Sequence, residues 1–158
     1  MTVEDLMKVK FTGDWERDDA LRGVIGGCFS AALASKQMLE YCPSEHAQLT
    51  RPMQAARRYG EVCGDTLKAI LNWESHDPET LREILENCIF EGELASQELR
   101  PYLQHDPDYN EVMIPKNLPV PVRRHVRIGI ERCADCFVDC FSYCEDFIRI
   151  WIDPEAIW

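Results

Sequence analysis

The sequence predicts an all-α protein, an antiparallel four-helix bundle with a cysteine-lined core. Three observations carry this. Apolar residues recur at three- and four-residue steps along four long segments, proline and polar clusters separate those segments, and period-two runs of β-branched or aromatic residues are absent. At 158 residues the chain has the length of one domain, 1–158, and its 46% hydrophobic content is enough for one core.

The first helix is expected over about 18–41, with Leu21, Val24, Ile25, Cys28, Ala32, Ser35, Leu39 and Cys42 on one face. Pro43 closes it, and Ser44 is an N-cap for a second helix over about 44–73. Leu49, Met53, Ala56, Tyr59, Cys63, Leu67 and Ile70 form its stripe, while Pro52 either kinks the first turns or moves the start to that point. Asp77-Pro78-Glu79 is a cap followed by proline at the first helical position, which starts a third helix over about 78–100. Its stripe is Leu81, Ile84, Cys88, Gly92, Ala95 and Leu99. Proline-rich 101–121 is a loop, and the fourth helix spans about 122–151.

Seventeen basic against 28 acidic residues give a net charge of -11, the wrong sign for a protein that binds a phosphate backbone. No segment has the length and apolarity of a membrane span, and the N-terminus has no signal-peptide pattern, so no nucleic acid and no membrane are expected as partners and a cytoplasmic location is expected. In that compartment eight cysteines read as metal ligands, redox groups or small buried side chains rather than disulfides.

Cys133, Cys136, Cys140 and Cys144 follow a C-x2-C-x3-C-x3-C spacing, which at 100° per residue places all four within an arc of about 80°. At about 1.5 Å of rise per residue, Cys28, Cys63, Cys88 and Cys140 fall roughly 12–16 Å above the base formed by the second connection, one thiol per helix at one level. Cys133 and Cys136 extend this column upward and Cys144 downward. Gathered thiolates suit a soft ion: Cu(I) takes two or three such ligands and shares them between ions, whereas zinc prefers a closed tetrahedral set. At the opposite end Cys42, His46, Met53, His105, Met113 and His125 flank the first and third connections, a set of soft sulfur and imidazole ligands suited to capturing metal.

Asp19-Ala-Leu-Arg before Cys28, Leu49-Thr50 before Val62-Cys63, Leu81-Arg-Glu-Ile-Leu-Glu-Asn-Cys88-Ile89, and His125-Val-Arg before Cys133-Ala-Asp-Cys136 resemble the four-helix-bundle copper storage proteins, over most of the stretch from Asp19 to Asp146. The resemblance implies rows of core cysteines holding Cu(I) in a cytosolic protein without an export signal. Here most rows are emptied: Ala32, Ser35, Leu39, Pro52, Tyr59, Gly92, Ala95, Val126 and Gly129 stand where further thiols are expected. A small Cu(I) cluster on Cys28, Cys63, Cys88, Cys133, Cys136, Cys140 and Cys144 is therefore the expectation, for copper storage, buffering or handling, with metal ions and a copper chaperone as partners.

The alternative is a metal-dependent oxidoreductase on the same bundle, with a copper, iron or iron-sulfur site and a small-molecule substrate in a pocket lined by Gly92, Ala95 and Gly129; zinc is a further alternative for the bound metal. Tyr59 and Tyr143 would then be hydrogen-bonding or redox partners of the metal. No C-x-x-C-H sequence occurs and no histidine follows a glutamate by three residues, which disfavours covalent haem and a carboxylate di-iron site. A third reading makes the thiols filler in a structural or partner-binding bundle. The apolar tail Ile150–Trp158 either folds back over the base or meets a second copy in a homo-oligomer.

Overall fold

The structure, a computed structural model, describes Glu4 and residues 7–41, 49–103 and 118–154. Four long helices carry the chain, α1 (Trp15–Tyr41), α2 (Thr50–Leu71), α3 (Pro78–Leu99) and α4 (Val120–Phe147), and no strand occurs among the described residues. Each of α1 and α3 packs between α2 and α4, so the helices form a square in chain order. Cross-helix pairs run in opposite registers. Cys28 meets Cys140 while Met38 meets Cys133, and Arg51 pairs with Glu98 while Arg58 pairs with Glu91, so neighbours are antiparallel.

The element ends follow local chemistry. The Asp77 carboxylate accepts the Thr80 N–H at 2.8 Å and Pro78 occupies the first helical position, as the sequence predicts. In α2, which begins at Thr50, Pro52 lies in the first turn, where its missing N–H has no helical partner to lose. Ser44 lies outside the described residues. The fourth helix starts at Val120 rather than Val122, with Pro121 accommodated in its first turn for the same reason.

The predicted stripe of α2 is buried throughout, from Leu49 to Ile70. The other three need correction. In α1 the buried seam includes Leu21, Val24, Cys28, Ala31, Ser35 and Met38, whereas Ile25, Ala32 and Leu39 are only partly buried. In α3 Leu85 replaces Ile84, and in α4 Ile130 and Phe137 replace Gly129 and Cys136. In each case two apolar or small residues stand side by side, and both satisfy a rule of three- or four-residue steps. Packing selects the one that keeps the seam aligned with its neighbours.

The base of the bundle is closed by both ends of the described chain. After Phe147 the backbone widens into a π-turn, Ile148–Ile152, with the Asp153 N–H donating to the Ile148 carbonyl at 2.8 Å. This turn brings Trp151 back onto the bundle. Its ring stacks on Phe147 at 4.7 Å, meets Trp73 edge-on at 4.8 Å, and its Nε1–H donates to the Arg17 carbonyl at 2.8 Å. Arg82 clamps Asp153 through both guanidinium nitrogens. Of the two placements open for the tail, the described part as far as Pro154 therefore takes the first.

On the N-terminal side Asp18 is buried and accepts the Thr12 N–H at 2.7 Å, the Thr12 hydroxyl at 2.8 Å and the Gly13 N–H at 3.0 Å. Gly13, at φ 87°, makes the left-handed turn that aims these donors. Burial alone would raise the Asp18 carboxyl, but these donors and Arg22 outweigh it and hold it below the ordinary carboxylate value; Arg82 does the same for Asp153.

Carboxyls lowered in the folded state contribute stability that is present above their unfolded value of about 4 and is lost as the pH falls through the folded value. The base is therefore expected to loosen below about pH 4. Hydrogen exchange at the Thr12 and Gly13 amides checks this: protection holds at neutral pH and is lost in acid in the parent, and is already reduced at neutral pH in Asp18→Asn.

Candidate metal centre

Midway along the bundle the four helices bring five thiols together. Cys140 of α4 is the hub, with its Sγ 3.4 Å from Cys28 of α1, 3.6 Å from Cys63 of α2 and 4.0 Å from Cys88 of α3. Cys144, one turn further on, completes a set with Cys28, Cys88 and Cys140 whose sulfurs all lie within 4.8 Å of one another. All five are free thiols and fully buried. The single level expected from helical rise is thus present, and Cys144, one turn below it, brings its sulfur within reach of the set.

Glycine makes this convergence sterically feasible. A Cβ on Gly27 would stand 3.2 Å from the Cys140 Cα and 2.9 Å from Tyr143 Cδ2, and one on Gly23 would meet Tyr143 Cδ1 at 2.7 Å. Two glycines one turn apart thus cradle the Tyr143 ring and let the α4 backbone approach α1 beside Cys28. Tyr143 is a packing residue. Gly27→Ala is expected to push α4 outward, lowering stability by about 1–3 kcal/mol and loosening metal binding by Cys28 and Cys140. Parallel urea denaturation and metal titration of the variant check both effects.

The thiols donate S–H bonds to one another. Donation from Cys144, then Cys28 and Cys63, lowers Cys140, and donation from Cys140, Cys144, Cys28 and Cys63 lowers Cys88. Cys28, Cys63 and Cys144 are pushed up, each chiefly by its bond to Cys140, with burial adding to the shift. The network therefore lowers Cys88 and Cys140 relative to the three thiols around them. Tyr59, whose Oη lies 3.6 Å from the Cys88 sulfur, is raised by burial and by the neighbouring thiols and stays a neutral hydroxyl hydrogen-bonded to Cys88.

No lysine, arginine or histidine is buried among the described residues. A negative charge in this cluster is thus compensated by a proton or by a bound cation, since isolated buried charge is costly.

The remaining predicted ligands separate from the cluster. Cys133 is buried but two turns up α4, donating to the Met38 thioether at 3.6 Å. Phe137 takes the seam position next to Cys136, which is left half-buried at the edge of the core, its thiol raised by burial and by Asp139 and Asp135. Met53 is buried in the core and His125 is exposed on the first turns of α4, while Cys42, His46, His105 and Met113 lie outside the described residues.

The expected substrate pocket is filled on the Gly92 side. The Tyr59 Oη lies 2.5 Å and Phe141 Cδ1 2.8 Å from where a Gly92 Cβ would be, and Met38 packs beside Gly129. What exists instead is a surface groove of about 290 Å³ between α2 and α3, flanked by the Arg51–Glu98 and Arg58–Glu91 pairs, with Tyr59 and Ala95 among its lining. Tyr59 thus stands between this groove and Cys88. The sequence pattern does not single out Met38; its thioether lies on the α1 seam position next to Leu39.

The site holds sulfur donors with one phenol beside them, and such a set can bind a thiophilic metal ion. Comparison of the chain with protein-family models, curated proteins and solved structures finds no match.

Proposed function

We propose that this chain is a Cu(I)-binding protein whose cargo is held as a small thiolate cluster by Cys28, Cys63, Cys88, Cys140 and Cys144. The observation that carries the reading is the convergence of five buried thiols from four helices in a core without a buried basic side chain among the described residues. Cu(I) replaces thiol protons, supplies the missing positive charge, and accepts two or three soft ligands, so five sulfurs in mutual reach can share several ions.

Zinc is the nearest competitor. A four-cysteine zinc site with bonds of about 2.3 Å needs sulfurs about 3.8 Å apart, and Cys28, Cys88, Cys140 and Cys144 approximate that set. A closed tetrahedron leaves Cys63, at 3.6 Å from Cys140, without use, whereas a shared Cu(I) cluster employs it. Free thiols in this number fit a reducing, cytoplasmic setting, and the sequence resemblance to copper storage proteins points to storage, buffering or handling, with a copper chaperone as the donor. With seven described cysteines, capacity is low and the role is nearer to buffering than to bulk storage.

Titration of the reduced, metal-free protein without oxygen tests this. The expected result is several Cu(I) per chain, an ultraviolet thiolate-to-metal band, no visible colour, and displacement of any bound zinc. One tightly held zinc or iron that Cu(I) does not displace would refute it.

A further inference from the structure

Resting on the Cu(I) reading, we infer that Cys133 and Met38 form a second, separate Cu(I) site, a thiolate–thioether pair between the cluster and the end of the bundle where the first and third connections lie. The sulfurs are 3.6 Å apart, and Cys133 and Met38 are 0% and 1% exposed. Cys133 precedes Cys140 by seven residues, about 10.5 Å of helix. Phe137 fills that interval on α4 and packs edge-on against Tyr59 of α2 at 4.7 Å, so an aromatic layer divides the pair from the five thiols.

Gly129 lies against the stem of Met38. A Cβ there would lie 3.5 Å from Met38 Cγ, 3.6 Å from its Cβ and 3.7 Å from its Cα, ordinary contact that a longer side chain would disrupt.

Charge and ligand softness select the ion. A monovalent ion on one thiolate and one neutral thioether is electrically neutral, which an apolar core tolerates; a divalent ion would leave a buried net charge. Thioether sulfur is a Cu(I) ligand, and zinc sites use thiolate, imidazole and carboxylate instead. Loading replaces one bond by another without redox change: the Cys133 S–H proton leaves to solvent and the sulfur binds Cu(I), while Met38 donates a lone pair. With two ligands among the described residues the pair holds its ion less tightly than the cluster, as a station for metal moving to or from it.

Protein labelled with 13C at its methionine methyl groups, titrated without oxygen with Cu(I) supplied as its acetonitrile complex, tests the pair. The Met38 methyl resonance is expected to stay fixed while the cluster fills and to shift as one further equivalent binds. Met38→Leu, close in volume, and Cys133→Ser are each expected to bind one Cu(I) fewer per chain with the remaining equivalents bound as in the parent. A cluster that fills while the Met38 methyl stays fixed, or a Met38→Leu protein that keeps the full complement, overturns the pair and leaves the cluster standing. A Met38 shift with only one equivalent bound in all overturns the cluster and supports the pair, and a protein that binds no Cu(I) overturns both.

Discussion

Replacing Cys140 with serine is expected to abolish tight Cu(I) binding by the cluster. The Cys140 sulfur stands 3.4, 3.6 and 4.0 Å from a cysteine on each of the other three helices. Removing it leaves Cys28, Cys63 and Cys88 without their shared bridging sulfur, and a serine hydroxyl is a hard donor that Cu(I) does not favour. Losing an outer-shell partner of a metal commonly costs about 10–100-fold in affinity, and loss of this ligand is expected to exceed that range. Chelator competition measures it, with Cys136→Ser as the internal comparison. Cys136 lies at the edge of the core, so its variant should bind within a few-fold of the parent. Equal losses in the two variants would mean that the cluster is not centred on Cys140.

Phe137→Ala should have the largest effect on folding of any single truncation in the aromatic layer. Phe137 is fully buried and packs on Tyr59, which in turn touches Cys88. Truncating a buried phenylalanine costs about 3–5 kcal/mol through lost transfer energy and the cavity left behind, a fall in Tm on the order of 10 °C for a chain of this size. Urea denaturation of the reduced apoprotein checks this, and a loss below about 1 kcal/mol would place Phe137 outside the packed core. Because the preassembled thiols of the folded state bind Cu(I) more tightly than those of the unfolded chain, loading with Cu(I) should return part of the loss by mass action.

Fold class and the level of the thiols were legible in the sequence because both follow from helical rise and period. Four antiparallel helices of similar length fix the heights of Cys28, Cys63, Cys88 and Cys140 before any contact is known. Rotation of each helix about its axis was less legible. Ala31 and Ala32, Met38 and Leu39, and Cys136 and Phe137 are adjacent pairs in which either member fits an apolar stripe, and the choice depends on neighbouring helices. That ambiguity hid Met38 and moved Cys136 out of the column.

Gly27 was silent, and Gly92 read as space for a substrate. Their role is to let Cys140 and Tyr59 approach, which depends on atoms from another helix. The π-turn that sends Trp151 back onto the base likewise follows from its docking against Phe147, Trp73 and the Arg17 carbonyl.

The ligation of copper in the protein loaded without oxygen is the most direct measure of the central claim, and X-ray absorption at the copper edge reads it. A Cu(I) edge with an all-sulfur shell and a nearby copper neighbour, the mark of ions sharing thiolates, is the predicted result. A shell dominated by nitrogen or oxygen, or copper that spreads over the surface and is removed by a weak chelator, would contradict a five-thiol cluster built by Cys28, Cys63, Cys88, Cys140 and Cys144.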